Sequence, residues 1–341
     1  MTGTTAAIVG CGDVSVVHFE AIAALGIGLV AVVDTDPAGL ERAAGIAPGV
    51  PGFDSVQAML RAVEEGTLQR PDVVHVATPH HQHLEPTAAL LTAGLHVIQE
   101  KPLANTLQAA QSVVDAAARS QARIGICFQN RYNASSQALK QVLEDGELGE
   151  LVGGYGNVVW TRTPDYYQSR PWRGRWDQAG GGLLINQAIH TLDLLQWFLG
   201  EPSGVSGRVC TLKYAGMIEV EDSANAWFTH PGGITSTFVG ALTNSVHRNV
   251  EIELYGSKGV ATIADGLHLR FADGRSRDVA ERRAASGGRS YWGLSHQVLI
   301  EDFHRRLSDP DPFWIGPQQA MASMRMLKAV YAQTYPGSNH Q

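Results

Sequence analysis

A glycine-rich turn with the sequence GCGDVS separates the apolar run 6–9 from a stretch with helical spacing. Gly10 allows a sharp turn, Gly12 lets backbone N–H groups approach a ligand, and a small third residue lets the helix pack against the strand. Ser15 stands at this third position, where glycine is more usual. The order of strand, turn and helix predicts the start of a parallel α/β sheet, although ordinary strand-to-helix turns share this pattern.

Short apolar runs alternate with amphipathic stretches over about the first 128 residues, as they do in βαβ units. Helices are predicted between the strands, around residues 14–25, 56–63, 86–93 and 107–119. This alternation predicts a Rossmann-type parallel sheet. The predicted strands are residues 6–9, 28–33, 73–77, 96–99 and 123–127.

The pattern changes after about residue 128. Helical spacing at 135–144 and 183–198 is followed by strand-rich segments such as 234–242 and 250–255, separated by glycine-containing turns. Two closing helices are predicted, near residues 294–307 and 318–333. We therefore expect an α/β Rossmann domain over residues 1–128 and an α+β domain with an antiparallel sheet over residues 129–341.

Composition excludes several classes of protein. A chain of 341 residues exceeds the roughly 250 residues at which single cores stop growing, so two domains are expected. The net charge is -7 without a basic run, which argues against nucleic-acid binding, and no apolar run approaches the ~20 residues of a membrane helix. The short polar start and three scattered cysteines (Cys11, Cys127 and Cys210) predict a cytoplasmic protein without disulfides or a zinc motif.

Asp34 ends the second predicted strand, at the distance where an acidic side chain meets the adenosine ribose of a dinucleotide. Its carboxylate would accept hydrogen bonds from both ribose hydroxyls and repel a 2′-phosphate. No basic residue follows before Arg42, so NAD is favoured over NADP. The expected cofactor contacts here are Gly10, Cys11, Gly12, Asp13, Val14, Asp34 and Thr35.

Lys101 follows the strand 96–99 within the sequence Glu100-Lys101-Pro102. Open α/β sheets build their sites at the carboxyl ends of parallel strands. A lysine there could hydrogen-bond a reacting hydroxyl and favour a developing alkoxide. The alternative is a solvated loop lysine.

A second glycine-rich turn, at residues 180–182, opens an amphipathic helix. Asn186, His190, Asp193 and Trp197 fall on one stripe of this helix. Imidazole ordinarily titrates near neutrality, so His190 is the natural general base for a hydroxyl proton. Asp193 could orient the imidazole or stabilise its protonated form. The alternative is a buried histidine satisfied by an aspartate one turn away.

Together these motifs resemble the Gfo/Idh/MocA family of glucose-fructose oxidoreductase, inositol dehydrogenase and rhizopine-catabolism oxidoreductases. The resemblance implies a Rossmann domain, a second domain with a large open sheet whose flat face often pairs subunits, and NAD-dependent hydride exchange with a sugar, cyclitol or polyol. It places the catalytic roles on Lys101 and His190 and implies a homodimer or homotetramer. It is carried by Gly10-Cys11-Gly12, Thr78-Pro79, His83, Glu100-Lys101-Pro102, Asn130-Arg131-Tyr132-Asn133, Trp172-Arg173-Gly174 and residues 180–193.

One departure leaves the substrate class open. Many sugar and inositol dehydrogenases of the family carry aspartate where this chain has Asn186, and glycine where it has Ala188. Asparagine cannot take up a proton, so more of the acid–base chemistry falls on His190. This version is similar to that of the family's sugar-nucleotide dehydrogenases.

The resemblance also implies a loop over the cofactor, in which Thr78, Pro79 and His80 are contacts and His83 is a structural or cofactor contact. Glu100 is a further expected cofactor contact. The three histidines of this loop suggest a metal site, but the resemblance argues against one. Aromatic and basic residues at 166–176 predict a substrate wall, or equally a subunit contact. The candidate substrate contacts are Arg131, Tyr132, Trp160, Tyr167, Arg170, Trp172, Arg173, Asn186 and His190, with Asn157 as a further wall candidate.

Three other functions are compatible with the fold. An NAD-retaining glycosidase would release free sugar without net NADH, and a regulator would bind NAD without turnover. The presence of both Lys101 and His190 argues against the regulator. Reduction of dihydrodiol or biliverdin type is disfavoured by Asp34, because such reductases commonly use NADPH.

Overall fold

The computed structural model describes residues 3–282 and 295–337, which divide into two compact units. The first unit contains residues 3–104, 108–129 and 295–320, and the second contains 105–107, 130–282 and 321–337. The sequence-based division had assigned every residue after 128 to the second domain, whereas residues 295–320 belong to the first unit. The reason is packing, because Phe303 and Phe313 fill the space beside Gly125, and the Ile126 N–H donates to the Ile315 carbonyl at 2.8 Å.

The first unit contains a six-stranded parallel sheet in the order β3-β2-β1-β4-β5-β6. This is the Rossmann order, in which the order of the strands reverses between β1 and β4 and leaves a crevice at their carboxyl ends. The predicted Rossmann sheet is thus confirmed, with a short β3 that the sequence analysis missed. The strands are β1 (Thr5–Val9), β2 (Gly28–Val33), β3 (Gly52–Phe53), β4 (Val73–Val76), β5 (His96–Gln99) and β6 (Ile124–Ile126).

Helices connect these strands. One of them, α2, was not predicted; it starts at Pro37, and the Asp36 side chain accepts a hydrogen bond from Ala38 N–H, two strong helix-start signals. The predicted helix at 294–307 is observed from Ser295, and Leu294 lies outside the described residues. The helices are α1 (Ser15–Ala24), α2 (Pro37–Ile46), α3 (Val56–Glu64), α4 (Leu84–Thr92), α5 (Leu107–Arg119) and, after the second unit, α10 (Ser295–Arg305).

The second unit contains an eight-stranded sheet in the order β14-β13-β12-β11-β7-β10-β9-β8. Only the β7/β10 pair is parallel, so the predicted, mainly antiparallel sheet is confirmed. The strands are β7 (Leu151–Val159), β8 (Gly204–Cys210), β9 (Ser223–Thr229), β10 (Thr235–Ala241), β11 (Glu251–Gly256), β12 (Gly259–Ile263), β13 (Gly266–Phe271) and β14 (Ser276–Ala280).

Helices pack against one face of this second sheet. A Cβ on Gly156 of β7 would lie about 3 Å from Thr191 and Leu195 of α9, so only glycine permits this approach. No helix within the described residues combines the length and apolar character needed to cross a bilayer. The helices are α6 (Ala134–Glu144), α7 (Pro164–Gln168), α8 (Trp176–Ala179), α9 (Ile189–Leu199) and α11 (Pro317–Thr334), which begins in the first unit.

The predicted helix at 183–198 is not a single α-helix. Residues Leu184–Ala188 form a π-helical segment, and α9 begins only at Ile189. The wider π turn gives Asn186 a different angular spacing from His190 than a continuous α-helix would. Short π segments are rare and occur frequently at functional sites.

Candidate active site

The first glycine-rich turn is shaped to accept a ligand. Gly10 has a φ of +89°, and a Cβ there would lie 2.7 Å from the Ala77 carbonyl group. A Cβ on Gly12 would meet no atom within 4 Å, so its backbone faces open space. Ser15 is buried and its hydroxyl donates to the Gly12 carbonyl at 2.7 Å, which keeps the start of α1 close to the turn. The turn therefore fits the pyrophosphate of a dinucleotide at a helix N-terminus.

Asp34 lies directly beside this turn. Its Oδ2 accepts from the Cys11 N–H at 2.7 Å and its Oδ1 from the Asp36 N–H at 2.9 Å, while the side chain stays partly exposed. Each oxygen keeps a further lone pair for a ribose hydroxyl. A Cβ on Gly39 of α2 would collide with this carboxylate, so Gly39 is a residue of the site that the sequence analysis missed.

Arg42 is closer to the turn than its sequence position suggested. Its Nη2 donates to the Cys11 carbonyl at 3.3 Å, because α2 folds back beside β2. The argument for NAD from a lack of nearby basic residues is therefore corrected, and the preference depends on the Asp34 carboxylate itself. Among the other expected contacts, Asp13 and Thr35 are exposed and Val14 is partly exposed.

The loop after β4 carries four residues predicted to contact the cofactor, and they differ in their exposure to solvent. Thr78 and Pro79 are partly exposed, whereas His80 and His83 are buried. Both ring nitrogens of His83 lie within hydrogen-bond distance of carbonyl oxygens, those of Thr78 (2.9 Å) and Pro102 (2.7 Å), and burial lowers its pKa. These contacts favour the structural role over the cofactor contact for His83, since this residue ties two loops of the first unit together. His81 is exposed, whereas His80 and His83 are buried.

Glu100 was expected to contact the cofactor, but it is buried beneath the site. Its Oε1 accepts from His18 Nε2 at 3.1 Å and His296 Nε2 at 3.0 Å. Burial alone would raise the pKa of Glu100, but these histidines outweigh it and hold the pKa well below its usual range. Cys127 brings a third potential metal-ligand atom within 4.8 Å, yet burial and Glu100 raise its pKa well above the usual value. This shift favours the protonated form of the thiol.

A chain of histidines extends from Glu100 through the core of the first unit. His18 Nδ1 lies 2.9 Å from His75 Nδ1, and His75 Nε2 lies 3.4 Å from His304 Nε2. Because an ionised carboxylate only accepts, His18 donates to Glu100, and neutral rings then require His75 to donate to His18 and His304 to donate to His75. Burial lowers the pKa of His75 well below its usual value and that of His304 to about 4, in agreement with neutral rings.

Acid should destabilise the protein through this chain. In the unfolded state His304 takes up a proton below about pH 6.5, whereas in the folded state it stays neutral to about pH 4. The unfolded state therefore binds more protons in this interval, and the free energy of unfolding falls as the pH falls. A shift of this size corresponds to about 3 kcal/mol. Urea denaturation between pH 7 and pH 4 measures this fall.

Two variants separate this effect from general acid sensitivity. His304→Asn, whose amide can still donate to His75, should show a flatter dependence of unfolding free energy on pH. His81→Asn removes an exposed histidine and should keep the wild-type slope. Equal slopes in the wild type and His304→Asn would contradict the assignment.

Lys101 follows β5 directly, as predicted, at the carboxyl edge of the parallel sheet. Its side chain is partly exposed, and the peptide bond to Pro102 is cis. This edge is the same one at which the glycine-rich turn and Asp34 lie, because all six strands are parallel.

In the second unit, three residues that the sequence did not indicate fix the turn at residues 180–182. The buried Glu221 accepts hydrogen bonds from the N–H groups of Gly182 and Leu184, both at 2.8 Å, and from the Tyr331 hydroxyl at 2.7 Å. Lys328 donates to the Gly180 carbonyl at 3.0 Å, and burial lowers its pKa to about 8. These contacts hold the start of the π segment that precedes His190.

The π segment presents amide side chains to Tyr166. Asn186 Nδ2 donates to the Tyr166 hydroxyl at 3.2 Å and Gln187 Nε2 at 2.7 Å. His190 lies in the first turn of α9 and is partly exposed. Tyr166 thus joins the segment carrying Asn186 and His190 to the aromatic stretch before it.

Asp193 binds Arg131. The Arg131 guanidinium donates to both carboxylate oxygens, at 2.7 and 2.8 Å, and Gln196 and Ser323 complete the group. Both charged residues are buried. Two expectations are therefore corrected. The described hydrogen bonds of Asp193 hold Arg131 and do not orient His190. Arg131 is buried in an ion pair with Asp193 and does not form a substrate wall.

Some of the residues predicted to form a substrate wall are accessible to solvent, and others are buried. Tyr167 packs into a buried cluster with Tyr214, Ile218 and Val220, so its expected role as a substrate contact is corrected. Trp160 is largely buried and stacks against His247. The remaining candidates are partly exposed, namely Tyr132, Arg170, Trp172 and Arg173, while Asn157 is buried and donates to Glu251.

A Rossmann-order sheet, an open glycine turn and an acidic residue at the end of β2 define a dinucleotide-binding protein. Residues 4–128 match the family model described as "Oxidoreductase family, NAD-binding Rossmann fold", and residues 136–262 match that of the "GFO/IDH/MocA C-terminal domain". The chain therefore belongs to the Gfo/Idh/MocA family of oxidoreductases. The predicted family and NAD-binding domain are confirmed.

Several relatives are named for sugar chemistry. Levoglucosan dehydrogenase of Pseudarthrobacter phenanthrenivorans is 26% identical over 261 residues, which are 68% of this chain and 65% of that protein. D-Glucoside 3-dehydrogenase of Escherichia coli is 26% identical over 84% of this chain and 82% of its own length. With levoglucosan dehydrogenase, the match spans less than two thirds of the relative's length. Among solved structures, the WlbA dehydrogenase from Bordetella pertussis in complex with NADH and UDP-GlcNAcA is 28% identical with a TM-score of 0.81, covering 98% of this chain and 97% of that one.

Proposed function

We propose that this protein is an NAD-dependent oxidoreductase that transfers a hydride between nicotinamide and a hydroxyl-bearing or ketone carbon of a sugar, cyclitol or related derivative. The observation that carries the proposal is the Asp34 carboxylate held on the phosphate-binding turn, 2.7 Å from the Cys11 N–H, in a Rossmann-order sheet. The sugar class is supported by the named activities of levoglucosan dehydrogenase and D-glucoside 3-dehydrogenase.

Each residue of the candidate site has a separate role in this proposal. Gly10, Gly12 and the first N–H groups of α1 would hold the pyrophosphate, and Asp34 the adenosine ribose. Bound NAD supplies the hydride acceptor. His190 removes the hydroxyl proton and Lys101 donates a hydrogen bond to the same oxygen, which stabilises developing negative charge. Asn186 only donates or accepts hydrogen bonds, so it orients substrate and takes no proton.

A screen for NADH absorbance tests this function. The purified protein is incubated with inositols, aldoses, glycosides and UDP-sugars, with NAD and NADP in parallel, and NADH formation with at least one sugar derivative is expected. Free sugar released without net NADH would instead indicate an NAD-retaining glycosidase. NAD binding without turnover on any member of the panel would indicate a regulator.

We also propose that the exposed face of the second sheet pairs two copies of the chain in a homodimer or homotetramer. Tyr155, Thr237 and Trp227 lie side by side across β7, β10 and β9 on this face, and Trp227 is 51% exposed. Val239 on the same face is 39% exposed. Exposed apolar residues that adjoin one another commonly mark contact surfaces. A reducing, cytoplasmic location is proposed on the three cysteines, which form no disulfide.

Trp227→Glu should convert the assembly to monomers, because it places a charge on the paired face. Light scattering after size-exclusion chromatography measures the mass. Leu212→Glu alters an exposed apolar residue in a loop outside the strands of this face and should leave the mass unchanged. A wild-type protein that runs as a monomer would refute the pairing.

A further inference from the structure

Six side chains of the second unit form a continuous stack, called here the cation–aromatic stack: His247, Trp160, Arg162, Tyr166, Arg173 and Trp172. His247 and Trp160 are nearly parallel, with ring centroids 5.0 Å apart. The Arg162 guanidinium lies 5.1 Å from the Trp160 ring and 4.9 Å from the Tyr166 ring. Arg173 follows at 4.3 Å from Tyr166 and 5.9 Å from Trp172. Rings and cations thus alternate along the central part of the stack.

Arg162 carries a charge that no carboxylate balances among the residues the structure describes. Its Nη1 donates to the neighbouring Thr161 carbonyl at 3.1 Å. Its Nε is buried and has no hydrogen-bond acceptor within the described part of the chain. By contrast, the Arg131 guanidinium is neutralised by Asp193 and that of Arg175 by Glu219. A buried guanidinium N–H without an acceptor is unfavourable, so an anionic ligand that balances the charge of this guanidinium would stabilise Arg162.

The stack restricts how such a ligand can approach. The Trp160 and Tyr166 rings lie 5.1 and 4.9 Å from the guanidinium carbon, so they limit the room around it for a ligand. Edge-on, paired hydrogen bonding is the geometry with which arginine binds carboxylates and phosphates. The side chain is partly exposed, and the Tyr214 hydroxyl holds its backbone by donating to the Arg162 carbonyl.

The stack adjoins the segment proposed to act on substrate. The Tyr166 hydroxyl, next to Arg162 in the stack, accepts from Asn186 and Gln187 of the π segment. His190 follows Asn186 by four residues, and all these residues belong to the second unit. An anion bound at the Arg162 edge would therefore lie beside the surface that carries Asn186.

We propose that Arg162 is the anion-binding group of a substrate subsite, and that the sugar derivative on which this protein acts carries a carboxylate or a phosphate. This inference names a substrate class for the proposed oxidoreductase function. It rests on that function, because the bound anion is a substrate only if the protein oxidises or reduces it. The binding step itself needs only the second unit. Carboxylate and phosphate both present paired oxygens to a guanidinium. Titrations with a carboxylate-bearing sugar and with phosphate-bearing sugars distinguish the two groups.

Binding is measured first, without turnover, by the tryptophan fluorescence of the full protein loaded with NADH, which cannot accept a hydride from the sugar. Trp160 in the stack provides the signal for titrations with glucuronate, glucose 6-phosphate, UDP-glucose and glucose. At least one anionic ligand should bind ten times or more tightly than glucose. Tighter binding of glucuronate alone identifies a carboxylate subsite, and tighter binding of the phosphate-bearing ligands a phosphate subsite. Equal affinity for all four ligands would overturn the proposal.

Variants then assign the effect to Arg162. Arg162→Gln should reduce the preference for the anionic ligand over glucose at least tenfold, and Arg162→Lys, which keeps the charge without the planar edge, should reduce it less. Arg248→Gln removes an exposed arginine close to Val159 and should leave the preference unchanged. Loss of preference in Arg248→Gln as large as in Arg162→Gln would mean that general positive charge, and not this subsite, attracts the anion.

The same variants separate this inference from the proposed function. In the NADH assay, Arg162→Gln should lower the ratio of kcat/KM for the anionic over the neutral sugar, chiefly through KM. If sugars are oxidised without preference for an anion, the subsite is wrong and the oxidoreductase function stands. If anions bind through Arg162 but no sugar is oxidised, the subsite stands and the oxidoreductase function is wrong.

Discussion

Replacing His190 with asparagine should lower turnover about 10²- to 10⁴-fold, because the substrate hydroxyl then loses its proton acceptor. Lys101→Met should cause a loss of about 10²- to 10³-fold, the range found when a single donor to a developing oxyanion is removed. Both variants should still bind NAD, since the phosphate-binding turn and Asp34 are unchanged. Stopped assays of NADH formation, together with calorimetric titration of NAD, measure the two quantities separately.

Matched substitutions at peripheral sites serve as controls for these losses. His81→Asn and Lys140→Met change the same residue types at an exposed loop position and on α6, and should retain wild-type turnover. Addition of imidazole to His190→Gly should recover part of the lost activity, since a free base can then reach the vacated position. Near-normal turnover in both His190→Asn and Lys101→Met would end the assignment of these two residues.

Breaking the Arg131–Asp193 pair should destabilise the second unit by about 3–5 kcal/mol, the range for removing one partner of a buried ion pair. In Arg131→Met the Asp193 carboxylate keeps Gln196 and Ser323 but loses its cation while remaining buried. Urea denaturation of the wild type and variant measures the change in unfolding free energy.

A double-mutant cycle separates this pair from a direct role in catalysis. Arg131→Met/Asp193→Leu should be less destabilised than the sum of the single variants, because no uncompensated charge remains buried. If Asp193 instead oriented His190 directly, Asp193→Asn would lose turnover under conditions where it is fully folded, and Arg131→Met would not. Additive destabilisation in the cycle would refute the pairing as the main role of Asp193.

The nucleotide-binding half could be predicted from sequence because its signals are local. Gly10, Gly12 and Asp34 lie at the ends of short apolar runs, and strand period together with turn chemistry defines those ends directly. The short β3 was not predicted because two strand residues are too few to show a period. The helix α2 was missed although Asp36 and Pro37 are helix-start signals. Arg42 was misjudged for a related reason, since distance along the chain says little about distance across a helix that folds back.

The second half of the site was less predictable because its contacts join distant segments. His190 and the three glycines of the turn form a motif that is visible in the sequence. The partners that fix the turn carry no sequence signature of their own, since Glu221 lies 39 residues from Gly182 and Tyr331 lies 149 residues from it. The π segment likewise depends on Glu221 accepting the N–H groups of Gly182 and Leu184. Helical periodicity alone cannot distinguish such a segment from an α-helix.

The sequence by itself determined that this chain builds a Rossmann sheet with an NAD turn and places Lys101 after a strand and His190 on a helix, since these follow from periodicity and from residues adjacent in the chain. Only the tertiary structure decided which partners the charged groups have: Glu100 contacts buried histidines, Asp193 pairs with Arg131, and Arg162 has no carboxylate partner among the described residues. The physical reason is that burial and ion pairing depend on which distant side chains meet, and a linear pattern of residue types does not specify those encounters.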